Sequence, residues 1–204
     1  MAEETLQPDQ EKKGEEKTSF KQDLYYWTQA LIVVLVGLIL ACTLAGRVIR
    51  VVGSSMVPTL HENDLLLLWS VGYTPQRGDV VVLRKESFLS YPVVKRVIAT
   101  GGEHVTVDYT TGTVSVDGVA LDEPYINELM VDTGSPNMTV LDVTVPEGSV
   151  YVMGDNRNNS KDSRNPEIGL IDTREILGKA VFLVFPGTSV DTGKREYNRI
   201  GVIG

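Results

Sequence analysis

The hydrophobic positions of the chain follow two patterns, one continuous and one alternating. Residues 30–46 carry no charge and are almost entirely apolar, and Tyr25, Tyr26 and Trp27 extend this stretch toward the N-terminus. A helix over residues 25–46, rising about 1.5 Å per residue, would cross a hydrocarbon core of roughly 30 Å. The aromatic residues suit the interface at one end of such a helix. The continuous pattern therefore predicts a transmembrane helix.

The segment before this helix is polar and rich in lysine and glutamate. Residues 1–24 cannot bury enough apolar surface to fold alone, so they are predicted to form a disordered tail. Two alternatives stay open for the apolar stretch, a cleaved signal peptide and a lipoprotein signal that ends at Cys42. The tail is too long and acidic for an ordinary signal peptide and no Ala-x-Ala follows, which favours a permanent anchor.

Beyond residue 46 the apolar positions alternate in short runs that are typical of strands. Val105 and Val107, and then Val114 and Val116, flank a turn at residues 109–112, which predicts a hairpin. Further strands are predicted at residues 65–69, 79–83 and 178–185, with a tight turn at 117–118 and a second hairpin whose arms are 143–145 and 150–152. Helical patterns are sparse. Residues 47–204 are therefore predicted to form one mostly β domain.

The composition of the chain argues against nucleic-acid, disulfide and metal-binding functions. The chain has 19 Lys and Arg against 27 Asp and Glu, a net charge of −8, so no nucleic-acid surface is expected. Its single cysteine excludes an intrachain disulfide, and two scattered histidines give no metal cluster, so no cofactor is implied. Four lysines precede the helix while Arg47 and Arg50 follow it, which favours a cytoplasmic N-terminus only weakly.

Two short motifs could carry chemistry. Ser55 lies in a Gly-Ser-Ser-Met-Val-Pro turn, and Lys95 lies among valines in a predicted strand. A serine next to a neutral lysine is a nucleophile with its base, and burial can lower a lysine pKa toward neutrality. The alternatives are an ordinary serine turn and an ordinary surface lysine. A histidine base, His61 or His104, also stays open.

A long polar loop over residues 153–164 is the third motif. Its acidic and basic side chains could form ion pairs, and Ser160 could accept a hydrogen bond from a neutral lysine. The alternative for this segment is a solvated surface loop without function.

Together these segments resemble the bacterial type I signal peptidases. The matching motifs follow one another over residues 47–186, after a single anchor. They are Gly53–Leu60, Arg77–Val81, Val94–Ile98, Leu121–Ile126 and Gly154–Arg164. The resemblance implies a signal-peptidase-like complex β domain after the transmembrane helix, and a membrane-bound serine endopeptidase that removes signal peptides from exported preproteins. It also implies a cytoplasmic tail and an extracytoplasmic catalytic domain, residues 47–204.

The resemblance implies a role for each site residue. Ser55 matches the nucleophile, Lys95 the general base and Ser160 the serine that orients the lysine. Two supporting ion pairs are implied, Asp155 with Arg96 and Asp162 with Arg164. Gly53 stands where some members have a serine hydroxyl that helps bind the oxyanion, so backbone N–H groups would take more of that role here.

The implied substrate is a signal peptide bound in extended form, with small residues at positions −1 and −3. By position, four apolar residues are predicted to line its pockets: Ile49, Val51, Met56 and Val94. A site so close to the helix would keep the reaction at the bilayer surface. Two rivals stay open, a self-cleaving repressor-type Ser-Lys peptidase and a membrane-anchored β binding module without catalysis. The oligomeric state is not predicted.

Overall fold

The single helix begins earlier than the hydrophobic pattern predicts. The computed structural model describes residues 20–85, 91–131, 140–189 and 192–204. Helix α1 spans Phe20–Ala45, so it includes five residues of the predicted disordered tail. No glycine or proline occurs in its first seventeen residues, so the backbone hydrogen bonds continue through this more polar end. The rest of that tail, residues 1–19, lies outside the described residues.

Helix α1 has the length and composition of a membrane-crossing segment. Its stretch Phe20–Leu40 has no buried portion, and large apolar side chains on every side of it are exposed. An exposed apolar helix of this kind is stable when hydrocarbon surrounds it. The helix is therefore consistent with a single-pass membrane anchor.

The rest of the chain is built almost entirely from strands. In chain order they are β1 (Gly46–Arg50), β2 (Leu65–Trp69), β3 (Val80–Leu83), β4 (Val93–Thr100), β5 (His104–Asp108), β6 (Thr113–Val116), β7 (Val119–Ala120), β8 (Val140–Thr144), β9 (Ser149–Met153), β10 (Ile171–Asp172), β11 (Ile176–Phe185) and β12 (Gly201–Val202). Short 3₁₀ turns occur at Thr173–Glu175 and Tyr197–Arg199. The predicted mostly β class is confirmed.

Eight strands form the larger sheet, in the order β1-β2-β11-β3-β4-β9-β10, with β12 also beside β11. Every pairing in it is antiparallel. The four remaining strands form a second sheet in the order β7-β6-β5-β8. The predicted hairpin is confirmed there as β5 and β6, with Val105 opposite Val116 and Val107 opposite Val114.

The second predicted hairpin is wrong. Strand β8 pairs with β5 in the smaller sheet, whereas β9 pairs with β4 and β10 in the larger one. The chain changes sheets at Val145, whose N–H donates to Glu103 and whose carbonyl accepts from Gly102. The turn at residues 146–148 therefore connects two sheets, although its local sequence is typical of a hairpin.

Apolar packing fixes the segment that follows β1. Val51, Met56 and Leu60 are at most 3% exposed, and they belong to one core cluster with side chains of β2, β3, β4 and β11. Burying an aliphatic side chain of this size contributes roughly 1.5–3 kcal/mol. Three such anchors hold residues 51–60, which include Ser55, against the larger sheet.

Candidate active site

Strand β4 carries Lys95 into the interior of the domain. It is a central strand, paired with β3 on one side and β9 on the other, and its residues 94–99 are all buried. Lys95 is 4% exposed and Arg96 is 2% exposed, so neither is a surface charge. Because neighbouring side chains of a strand point to opposite faces, the two cations find different partners.

The turn after β1 brings Ser55 to Lys95. Gly53 adopts a φ of 84°, a left-handed conformation that glycine accepts at little cost. The base of the segment is closed by a hydrogen bond from the Val51 N–H to the Asp64 carbonyl, 2.8 Å long. Lys95 Nζ lies 2.5 Å from Ser55 Oγ. An amine and a hydroxyl at this distance can exchange a proton.

Ser55 and Lys95 both line a cavity of about 730 Å³. Its walls come from residues 52–55, from Tyr91, Val93 and Lys95, and from residues 158–161 of the polar loop. A cavity of this size lies within the range of binding sites for small ligands and short peptide segments.

Burial lowers the pKa of Lys95 from 10.5 to about 8. Loss of hydration is the largest cause, because it disfavours the charged ammonium. The negative charges of Asp162 and Asp155 oppose this shift, and the positive charge of Arg164 adds to it. With a pKa of about 8, about a tenth of the Lys95 side chains are neutral at pH 7, compared with roughly one in 3,000 at the ordinary lysine pKa of 10.5.

A buried ion pair connects β4 to the polar loop. Arg96 Nε and one terminal nitrogen donate to the two oxygens of Asp155 over 2.9 Å and 2.8 Å. The Tyr125 ring covers the guanidinium at 4.0 Å, a cation–π contact. Thr59 Oγ1 donates to the same carboxylate over 2.5 Å. Asp155 therefore ties the strand of the lysine to the segment of the serine.

A second bidentate pair braces the loop. Arg164 donates twice to Asp162, each time over 2.8 Å, and Asp162 also accepts the Gly154 N–H over 2.9 Å. Burial raises the pKa of Asp162, but the bonds and charge of Arg164 outweigh it and hold that pKa below its usual value. A permanent negative charge therefore stands near Lys95.

Ser160 lines the same cavity as Ser55 and Lys95. Its hydroxyl is buried and makes no hydrogen bond to Lys95 in the described part of the chain, whereas its proximity to Asp162 helps to lower the pKa of that carboxyl. A Cβ at Gly154 would lie 2.3 Å from the Ser160 hydroxyl and 2.4 Å from the Ser55 carbonyl. Only glycine fits between these two groups.

Two asparagines, to which the sequence analysis assigns no role, hold the serine segment. The Asn156 N–H donates to the Ser55 carbonyl over 3.0 Å, and its side chain donates to the Ser54 carbonyl over 3.1 Å. Asn159 donates to the Ser54 hydroxyl over 3.0 Å. The one available signal is the density of asparagine, three in the four residues 156–159.

Comparison with known proteins decides the family. The family model described as "Signal peptidase, peptidase S26" matches residues 24–185. The chain belongs to the signal peptidase S26 family. Signal peptidase I of Bacillus licheniformis is 35% identical over 180 residues, which cover 84% of this chain and 94% of the relative. Signal peptidase I T of Bacillus subtilis strain 168 is also 35% identical, over 84% of this chain and 91% of its own.

Among solved structures, a signal peptidase I from Enterococcus faecalis V583 is 29% identical, with a TM-score of 0.43 over 52% of this chain and 97% of its own. The family and fold class predicted from sequence are confirmed by the family match and the observed strands. As a signal peptidase I, the protein is a serine peptidase whose substrates are preproteins that bear signal peptides.

The four residues predicted to line the substrate pockets of this signal peptidase lie in the core. Val51, Met56 and Val94 are at most 6% exposed, and Ile49 packs partly buried against the same cluster. Chain neighbours of three of them line the cavity, namely residues 52, 55, 93 and 95. Extended residues alternate between faces, so neighbouring residues divide between the core and the cavity wall. That these four residues line the substrate pockets stays a prediction.

The two histidines lie elsewhere in this signal peptidase. His61 contacts Arg199, and His104 contacts Asp142 and Thr144 on the smaller sheet. Neither lines the cavity of Ser55. The alternative of a histidine base therefore finds no geometric support. Within the described part of the chain, no three His, Cys, Asp or Glu side chains are grouped to hold a metal ion.

Proposed function

We propose that Ser55 is the nucleophile and Lys95 the general base of a signal peptidase I reaction. The observation that carries the proposal is the 2.5 Å contact between the Ser55 hydroxyl and a lysine amine that is only 4% exposed. Burial keeps a useful share of the amine neutral, and the neutral amine has the lone pair that a base needs.

The reaction proceeds in two steps. Lys95 accepts the hydroxyl proton while Ser55 Oγ bonds to the carbonyl carbon of the −1 residue of the preprotein. The lysine ammonium then gives this proton to the leaving nitrogen, and the mature chain departs with a new amino terminus. Lys95 next takes a proton from water, the hydroxide attacks the ester, and the signal peptide leaves as a carboxylic acid while Ser55 regains its proton.

The negative charge of each tetrahedral intermediate needs hydrogen-bond donors. Gly53 has no side chain to offer, so the backbone N–H of Ser55, with help from the Gly53 backbone, serves as the oxyanion hole. The bond from the Asn156 N–H to the Ser55 carbonyl supports this role, because it fixes the peptide units around the nucleophile.

The remaining site residues do not contact the reacting bond but hold Ser55 and Lys95 in position. Arg96 with Asp155 and Arg164 with Asp162 hold the strand, the serine segment and the loop together. Ser160, with its buried hydroxyl against the same cavity, orients the lysine amine once a substrate displaces the 2.5 Å contact with Ser55.

The substrate binds as an extended chain with small residues at −1 and −3. The apolar side chains of Val52, Tyr91 and Val93 on the cavity wall support contact with apolar groups of such a peptide. Helix α1 anchors the protein in the membrane as a single span, with the N-terminal tail in the cytoplasm and the catalytic domain outside. The apolar core of a signal peptide would then occupy the same membrane as the enzyme.

The test is cleavage of a preprotein with an Ala-x-Ala site by the full chain in detergent micelles, with N-terminal sequencing of the product. Ser55→Ala and Lys95→Ala should each abolish cleavage after the −1 residue. Ser115→Ala on β6 and Lys194→Ala at an exposed position are matched controls that should keep wild-type rates. Activity that survives Lys95→Ala would refute the base assignment. A folded wild type that cleaves none of several preproteins would favour a binding module.

A further inference from the structure

Residues beyond the family match reach back to the serine segment. The match ends at residue 185, yet Arg199 makes four contacts with residues 59–64. Its guanidinium donates to the two carboxylate oxygens of Asp64 over 3.2 Å and 2.8 Å, and to the Thr59 carbonyl over 3.1 Å. It also lies 3.1 Å from His61 Nδ1, which must accept because an arginine nitrogen can only donate.

Asp64 is the residue on which these contacts converge. It is fully buried, and its carboxylate also accepts the N–H groups of His61 and Gly187 over 2.8 Å and 2.6 Å. Its backbone carbonyl accepts from Val51, and Asn63 donates back to the Val51 carbonyl, so Asp64 closes the base of the loop that carries Ser55. Removing Arg199 would leave a buried carboxylate without its only cation in the described part of the chain.

The same terminal segment contacts the lysine strand. Arg96, the chain neighbour of Lys95, donates to the Gly204 carbonyl over 3.2 Å. Ile203 donates to the Val181 carbonyl and packs against the core cluster that contains Val51 and residue 56. The segment is therefore bonded on one side to the base of the serine loop and on the other to the strand of the base.

We propose that Arg199 is a positioning residue, and that residues 196–204 form a C-terminal clamp that keeps the Ser55 loop in register with Lys95. The 2.5 Å contact of the dyad depends on two segments forty residues apart, and the clamp bonds to both of them. Arg199 touches no substrate. It acts by fixing residues 59–64, the far end of the loop whose other end carries the nucleophile. The kinetic test of this inference assumes the proposed Ser-Lys mechanism, because it measures preprotein cleavage.

The kinetic test compares Arg199→Ala with Arg195→Ala in the full chain in detergent. Arg195 is a matched control, because it donates to the Pro186 carbonyl and stacks on Phe185 without contacting the serine loop. Per folded molecule, Arg199→Ala should lower kcat by at least tenfold with KM within threefold, while Arg195→Ala stays within twofold in both. Arg199→Lys, which keeps the charge toward Asp64, should recover part of kcat.

A second measurement does not depend on cleavage. Amide hydrogen exchange of residues 51–64 should accelerate in Arg199→Ala but not in Arg195→Ala, because the bonds that close the loop loosen. Wild-type exchange in this segment, or a kcat for Arg199→Ala within twofold of Arg195→Ala, would overturn the clamp. Should Arg199→Ala fail to fold, Arg199→Gln, which removes the charge toward Asp64, is measured in the same two comparisons, and wild-type values for that variant overturn the clamp. If the folded wild-type protein cleaves no preprotein, that result counts against the proposed Ser-Lys mechanism. The hydrogen-exchange comparison then decides by itself whether the clamp exists.

Discussion

The pKa of Lys95 can be moved in opposite directions by changing either member of one ion pair. Burial brings this pKa from 10.5 to about 8, a free-energy difference of about 3 kcal/mol between the charged and neutral forms. Asp162 raises the value and Arg164 lowers it. Asp162→Asn should therefore lower the pKa of the lysine below 8, and Arg164→Gln should raise it above 8.

Each shift should be on the order of one pH unit, because a unit charge near a buried group changes its pKa by about that amount or more. The assay is the pH dependence of kcat/KM for preprotein cleavage. In the wild type this quantity should rise about tenfold per pH unit below pH 8 and level off above it, because only the neutral amine accepts the serine proton. The midpoint should move to lower pH in Asp162→Asn and to higher pH in Arg164→Gln.

The chain contains a matched control with the same local geometry. Asp172 and Arg174 form an equivalent bidentate pair two residues apart, but on the surface. Asp172→Asn and Arg174→Gln should leave the midpoint unchanged. The electrostatic explanation of the Lys95 pKa would be refuted if the midpoints of kcat/KM moved in the same direction in Asp162→Asn and Arg164→Gln. It would also be refuted if neither folded variant showed a shifted midpoint.

Two further predictions follow from burial around the dyad. Lys95→Met should abolish cleavage and make the domain more stable by up to about 3 kcal/mol, because the folded state no longer has to bury a charge. The folded pKa lies below the unfolded one, so this gain should be full below pH 8 and vanish by about pH 10.5 in denaturant titrations; a constant gain would contradict it. Gly154→Ala should reduce kcat by more than tenfold, because its methyl group would overlap the Ser55 carbonyl and a serine hydroxyl. Gly37→Ala in helix α1, where a Cβ meets nothing within 4 Å, should retain wild-type kcat, and equal rates in both variants would exclude the steric explanation.

The sequence predicts local strand structure well and sheet membership poorly. The hairpin of β5 and β6 follows from valine alternation around one turn, so neighbouring residues alone determine it. The arms 143–145 and 150–152 have the same kind of pattern, but their partners are β5 and β4, which are distant in sequence. No local pattern distinguishes these two cases, because hydrogen bonds to distant strands decide them.

The motifs indicated which residues meet at the site, and the structure adds how they are held. Ser55 and Lys95 are forty residues apart in sequence and their side chains lie 2.5 Å apart. A single step along an extended segment reverses the face, so Val51 packs in the core while its neighbour Val52 lines the cavity. The contacts of Arg199 cannot be predicted from motifs, because they depend on how residues 196–204 pack against the distant residues 59–64.

One difference separates the proposed base from the other buried cations of the domain. The arginines in the interior each have a bidentate carboxylate partner: Arg96 with Asp155, Arg157 with Glu123, Arg164 with Asp162 and Arg199 with Asp64. Lys95 has no carboxylate within salt-bridge distance among the residues that the structure describes, and its contact is a hydroxyl. Paired cations keep their charge, because the carboxylate compensates for lost hydration. The fold thus gives each charge that organises the site a direct partner and leaves the proposed base, Lys95, without a carboxylate in direct contact.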